Sequence, residues 1–143
     1  MTYLKTAIRL LIAALFIYSG SQKLSVPLEN FEEVLRTYEI FPEFSIQFFS
    51  HFVPLAEVGM GVLLALGLLT RLALLGAQCF FGTFITVISR ALILKIPIEN
   101  CGCFGEALHL DPAVTLGIDI SFFFLTLILF SSKPSALRLE SLL

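Results

Sequence analysis

Residues 51–94 read HFVPLAEVGMGVLLALGLLTRLALLGAQCFFGTFITVISRALIL, two long apolar runs that meet near Arg71. The runs cover about residues 51–69 and 72–94, so each approaches the ~20 residues that a helix needs to cross a bilayer. The linker LLTRLA is too short for anything but a tight hairpin. This stretch therefore predicts two antiparallel membrane-spanning helices.

Two further apolar runs, at about residues 6–23 and 112–131, complete a set of four. The chain of 143 residues is 57% hydrophobic and 14% charged, with a mean hydropathy of +0.95, whereas soluble domains are roughly 25% charged. Backbone groups in hydrocarbon must bond one another, so the runs are helices. The expected fold class is all-α, one integral membrane four-helix bundle over residues 1–143. The first run has no clear small-residue cleavage site, and we expect it to be retained.

The segment between the first two spans, SVPLENFEEVLRTYEIFPEF at residues 25–44, carries five glutamates. Phe31, Val34, Leu35 and Tyr38 recur at helical spacing on one side of it. This pattern predicts a short amphipathic helix at the membrane interface, and a solvated charged loop is the alternative.

The balance of Lys and Arg near the span ends favours one orientation in the membrane. Five lie on the side of both termini and four on the other side: Lys5, Arg9, Arg71, Lys133 and Arg138 against Lys23, Arg36, Arg90 and Lys95. We therefore expect a multi-pass protein of the cell inner membrane with cytoplasmic termini. The interfacial helix and the loop at residues 99–105 then face the outer, oxidising side.

Two carboxylates, Glu57 and Asp119, fall inside predicted spans. Such groups are costly in lipid, generally face the bundle interior and are functional candidates by default. Lys23 and Arg90 lie in the same leaflet, so depth suggests the pairs Lys23 with Glu57 and Arg90 with Asp119. One interpretation is a static ion-pair cluster that sets helix register. The other is proton exchange between a carboxylate and a thiol or quinone.

Small and hydroxyl-bearing side chains form stripes on the second and third spans. Such stripes let membrane helices approach closely. They predict that Gly61 faces the bundle, and that Cys79, Thr83 and Thr86 do so on the third span. Cys79 is then expected to be a buried, inert thiol.

The loop ENCGCFG at residues 99–105 places Cys101 and Cys103 on either side of Gly102. A disulfide needs Cα atoms about 4.4–6.8 Å apart, so a bridge between residues two apart requires a turn. A strained, accessible bridge of this kind exchanges readily. The alternatives are a soft metal such as Cu(I) or Hg(II), bound by Cys101, Cys103 and His109, and a purely structural loop.

Four motifs, in order, resemble the MauE branch of the DoxX-like membrane proteins: YSGSQKL, YEIFP, VPLAEVGMGVLLALGLLTR and CGCFG. This methylamine-utilisation family implies a four-helix inner-membrane protein of thiol redox chemistry with an extracytoplasmic thioredoxin-like partner. Its matching site residues are Lys23, Glu57, Cys101 and Cys103. Where many relatives have an Arg-Asn or similar pair in the last span, this chain has Ile118 and Asp119, which questions the role of that helix.

Together these features predict a membrane thiol–disulfide redox protein or its accessory. Cys101, Cys103, Glu57 and Asp119 are the candidate catalytic residues, with Lys23 and Arg90 as supporting charges and a quinone as a candidate electron acceptor. The alternatives are a small non-catalytic subunit of an electron-transfer complex and a soft-metal transporter. A net charge of −2 without basic stripes excludes a nucleic-acid partner.

Overall fold

A computed structural model of the chain describes residues 2–97 and 110–131, which form five helices and no strands. The helices are α1 Thr2–Ser25, α2 Leu28–Thr37, α3 Glu43–Leu66, α4 Thr70–Ile93 and α5 Pro112–Ser131. All except α2 are long and apolar enough to cross a membrane. The predicted all-α fold with four membrane-spanning helices is confirmed.

Helix α3 begins at Glu43, about eight residues before the predicted start of its apolar run near residue 51. Pro42 precedes it in an extended conformation (φ −64°, ψ 144°), and Glu43 complements the helix dipole in the first turn. The helix ends at Gly67, whose φ of 72° places it in the left-handed region that glycine adopts without strain. The predicted hairpin between α3 and α4 is therefore only residues 67–69.

The tightest packing joins α1 to α3 through two glycines. A Cβ on Gly20 would lie 2.7 Å from Val58 Cγ2, and one on Gly61 would lie 2.6 Å from Ile17 Cγ1. Gly20 meets Val58, whereas the earlier residue Ile17 meets the later residue Gly61, so the two helices are antiparallel. Gly61 faces the bundle as predicted, since no larger residue fits at this contact.

Helix α4 turns a different face to the bundle than the one predicted. Its buried residues are Ala73, Leu74, Ala77, Phe81, Val87, Ile88 and Ala91. Cys79, Thr83 and Thr86 are exposed, so the prediction of a buried Cys79 was wrong. The two threonine hydroxyls donate to carbonyls of their own helix at 2.8 Å and need no neighbouring helix as a partner.

Helix α2 lies across one end of the bundle, which we call the α2 end. Its apolar side buries Phe31 and Leu35 against Ile46 of α3, and the following Tyr38 packs against Val87 and Ala91 of α4. On the outer side, Arg36 Nε donates to Glu43 Oε1 at 2.9 Å. The amphipathic helix predicted from residues 25–44 is present and tied to two spans.

Candidate functional site

A buried ion pair lies just below the α2 end. Lys23 Nζ donates to both carboxylate oxygens of Glu57, at 2.7 and 2.8 Å, and to Ser19 Oγ at 3.0 Å. The side chains of Lys23 and Glu57 are only 1% and 3% exposed. The pairing of Lys23 with Glu57 expected from depth is confirmed.

Local helix geometry brings these groups together. Ser19 lies four residues before Lys23, so both side chains point from the same face of α1. Lys23 occupies the last turn of α1, where a cation complements the helix dipole. Glu57 approaches α1 next to Gly20, at which an added Cβ would lie 3.1 Å from the Glu57 Cβ. The glycine thus makes room for the carboxylate.

Two aromatic rings enclose the ammonium group. The Lys23 Nζ lies 5.5 Å from the ring centroid of Phe31 in α2 and 5.4 Å from that of Phe84 in α4. Both distances are within the range of cation–π attraction, which strengthens when the cation is desolvated. Four helices, α1 to α4, therefore converge on one cation.

Asp119 of α5 lies beside this ion pair. It is 3% exposed and lines a cavity of about 20 Å³ together with Ser19 and Glu57. That volume is enough for about one water molecule, which needs polar partners of this kind. The arrangement places two carboxylates and a hydroxyl on the wall of one small space whose other lining residues are apolar.

Arg90 does not belong to this buried cluster. Its side chain is exposed, and its Nη1 donates to the backbone carbonyl of Tyr38 at 3.1 Å. Among residues 2–97 and 110–131, no ion pair joins Arg90 to Asp119. The expected pairing of Arg90 with Asp119 was wrong. Arg90 lies two residues after the fully buried Ile88. Its side chain therefore points roughly 200° away from that of Ile88 around the helix axis and faces outward.

The structure adds three residues that the sequence did not assign to this site: Ser19, Phe84 and Phe31, the last of which was predicted only for the apolar side of the interfacial helix. The four-residue spacing of Ser19 from Lys23 is a signal that could have identified the serine. The two phenylalanines carry no such signal, because they come from separate helices and are two of 15 in the chain.

The predicted sulfur and metal ligands, Cys101, Cys103 and His109, lie outside the described residues. Within the part of the chain that the structure does describe, three or more His, Cys, Asp or Glu side chains are nowhere grouped to hold a metal. In the sequence, the cysteines lie between α4, whose last turns pack against Tyr38 at the α2 end, and α5.

The model of one protein family, described as Methylamine utilisation protein MauE, matches residues 1–132 and so spans all five helices. The chain belongs to the MauE family. It is a multi-pass membrane protein of a family involved in methylamine utilisation, and the resemblance noted from its motifs is confirmed. No curated protein and no solved structure matches this MauE chain.

Proposed function

We propose that this MauE-family protein is a thiol–disulfide redox protein of the inner membrane. The pair Cys101 and Cys103 exchanges a disulfide with an extracytoplasmic thioredoxin-like protein. The observation that supports the proposal most directly is the buried site formed by Lys23, Glu57 and Asp119, at the end of the bundle where α4 ends. Buried ionisable groups in a membrane helix bundle usually mark a site of proton or ion chemistry.

The exchange proceeds through a mixed disulfide. A thiolate of the partner attacks the Cys101–Cys103 disulfide, the S–S bond breaks, and one cysteine of the pair leaves as a thiolate. The partner's second thiolate then attacks the mixed disulfide. The partner ends oxidised and the pair ends as a dithiol. A bridge between residues two apart is strained and hence oxidising, so this direction is the favoured one.

The dithiol must be reoxidised, which releases two electrons and two protons. We propose a membrane quinone as the acceptor, because it takes up both and is dissolved in the bilayer. Glu57 and Asp119 are proposed to relay the protons through the small cavity that they share with Ser19. Lys23 and its aromatic enclosure hold Glu57 in place for this role.

Trapping a mixed disulfide tests the proposal. In Cys101→Ser or Cys103→Ser protein, the remaining thiolate can attack the disulfide of the oxidised partner, and the second cysteine that would resolve the mixed disulfide is missing. Mass spectrometry then identifies the attached partner. Cys79→Ser is the matched control: it keeps both cysteines of the pair and should trap no partner. Asp119→Asn should slow reoxidation by quinone without preventing the first attack.

The proposal fails if the pair stays reduced under strong oxidants in the absence of metal. It also fails if a protein with both Cys101 and Cys103 replaced by Ser keeps full activity while copurifying with stoichiometric subunits. That second result would select a non-catalytic anchoring subunit instead.

A further inference from the structure

A second cavity, of about 200 Å³, lies between α2, α3 and α4. Seven of its thirteen lining residues are aromatic, among them Phe31, Tyr38, Phe49 and Phe84. Helix α2 covers this cavity, which we call the aromatic cavity, at the α2 end. Rim residues Phe52, 50% exposed, and Cys79 lie on the membrane-spanning helices α3 and α4. A ligand would therefore enter from the bilayer.

The aromatic cavity adjoins the buried ion pair. Phe31 and Phe84, whose rings flank the Lys23 ammonium, are also walls of the cavity. Phe84 also lines the small cavity that Glu57 and Asp119 border. One aromatic layer thus separates the larger apolar space from the charged groups.

The chain that leads to the cysteines also packs on this cavity. Ile96 contacts the cluster that contains the cavity residues Tyr38 and Val87. Cys101 follows Ile96 by five residues in the sequence.

We propose that the aromatic cavity binds the ring of a membrane quinone, an inference that rests on the proposed thiol–disulfide function. Planar rings stack favourably on aromatic side chains, whereas a flexible lipid acyl chain makes only van der Waals contacts with them. Entry from the hydrocarbon suits a molecule that is dissolved in the bilayer. The cavity lies close to both the proton-carrying carboxylates and the start of the cysteine loop.

Oxidation of the cysteine pair by the quinone conserves atoms and electrons. Two S–H bonds of the Cys101–Cys103 dithiol break and one S–S bond forms. Two electrons pass from sulfur to the quinone ring, and two protons reach its oxygens to give the quinol. No further oxidant is needed.

The absence of Trp from the chain allows a clean fluorescence test. Phe52→Trp places an indole at the rim of the cavity, and Phe124→Trp places one on the exposed face of α5 as the control. Each variant is reconstituted into phosphatidylcholine vesicles with increasing decylubiquinone. Quenching at position 52 should saturate, while quenching at position 124 should rise linearly through collisions in the bilayer. Equal linear quenching at both positions overturns the proposal.

A variant with a filled cavity and a brominated lipid distinguish quinone binding from occupation of the cavity by lipid. Thr83→Phe, which fills the cavity from α4, should abolish the saturable component, while Leu75→Phe on the exposed part of α4 should retain it. Brominated phosphatidylcholine should quench both indoles alike. If it quenches position 52 preferentially and decylubiquinone does not displace it, the occupant is bulk lipid and the quinone site is refuted.

A second measurement does not depend on an introduced indole. In Cys101→Ser/Cys103→Ser protein, decylubiquinone should slow alkylation of Cys79 by a lipophilic maleimide. Together with the trapping experiment on the single Cys101→Ser and Cys103→Ser variants, this measurement separates the two proposals. Protection of Cys79 together with failed disulfide trapping would leave the quinone site standing and remove the thiol function. Successful trapping without protection or saturable quenching would remove the quinone site alone.

Discussion

Replacing Lys23 with Met should destabilise the protein strongly, because Glu57 would stay buried without its ammonium partner. The two groups are in contact at 2.7 and 2.8 Å, and both side chains are almost fully enclosed. With charges about 3 Å apart and an effective dielectric constant of about 20, Coulomb's law gives a gross attraction of about 6 kcal/mol.

Desolvation of both ions offsets much of that attraction, so the intact pair contributes far less than the gross value. Removing one partner has a larger effect than removing both, because it leaves a charge in the apolar interior. We expect Lys23→Met to lower the free energy of unfolding by about 3–5 kcal/mol. Glu57→Met should act similarly, since it leaves the ammonium buried opposite an apolar side chain.

The assay is a double-mutant cycle, with free energies of unfolding measured by steric trapping in bicelles. The double variant Lys23→Met/Glu57→Met should recover most of the loss, because no buried charge is left. Lys95→Met is the matched control, since Lys95 is exposed, and it should change stability little. A coupling energy below about 1 kcal/mol would refute the reasoning, because residues in direct contact should be coupled.

Three further predictions concern packing, the aromatic enclosure and orientation. Gly61→Ala should lower the free energy of unfolding by about 1–3 kcal/mol, because the added methyl group overpacks against α1. Gly59→Ala is the control and should cost no stability, since the space around its Cβ is open; equal losses in the two variants would contradict the close contact at Gly61. Phe84→Leu should lower the free energy of unfolding, and by less when Lys23→Met is already present, since the cation–π contact is then absent. If the effects of the two substitutions are additive in the same unfolding assay, that contact is excluded. In single-cysteine variants of intact cells, Cys103 should react with a membrane-impermeant maleimide and Cys79 only with a lipophilic one. Labelling of Cys103 only after lysis would invert the proposed topology.

The spans could be predicted from sequence because hydropathy reports directly on burial in lipid. The start of α3 could not be predicted in this way. Its first turns pack against the apolar side of α2 and are less apolar than the membrane-spanning part of the helix. Pro42 marks this start, but the extra turns are stabilised by their packing against α2, which the sequence does not show.

The ion pair of Lys23 and Glu57 was predictable for a different reason. Opposite charges at one depth in hydrocarbon have few alternatives to pairing. The same argument failed for Arg90, because depth says nothing about rotation around the helix axis. In a membrane, inward and outward faces are both apolar, so the sequence does not reveal which side of α4 is buried. Cys79 was misplaced for this reason, and the aromatic cavity, built from three helices, was not foreseen.

The ion pair also bears on how the chain is synthesised and inserted. Glu57 follows Lys23 by 34 residues, so α1 and α2 have been made before the carboxylate exists. A lone charge costs about 2.5–3.5 kcal/mol at the centre of a span, whereas Lys23, in the last turn of α1, can extend its ammonium group to the interface until a partner is present. Lys23 can therefore settle in its final position only once α3 has arrived beside it. The first three helices should leave the translocon as one cooperative unit rather than one by one.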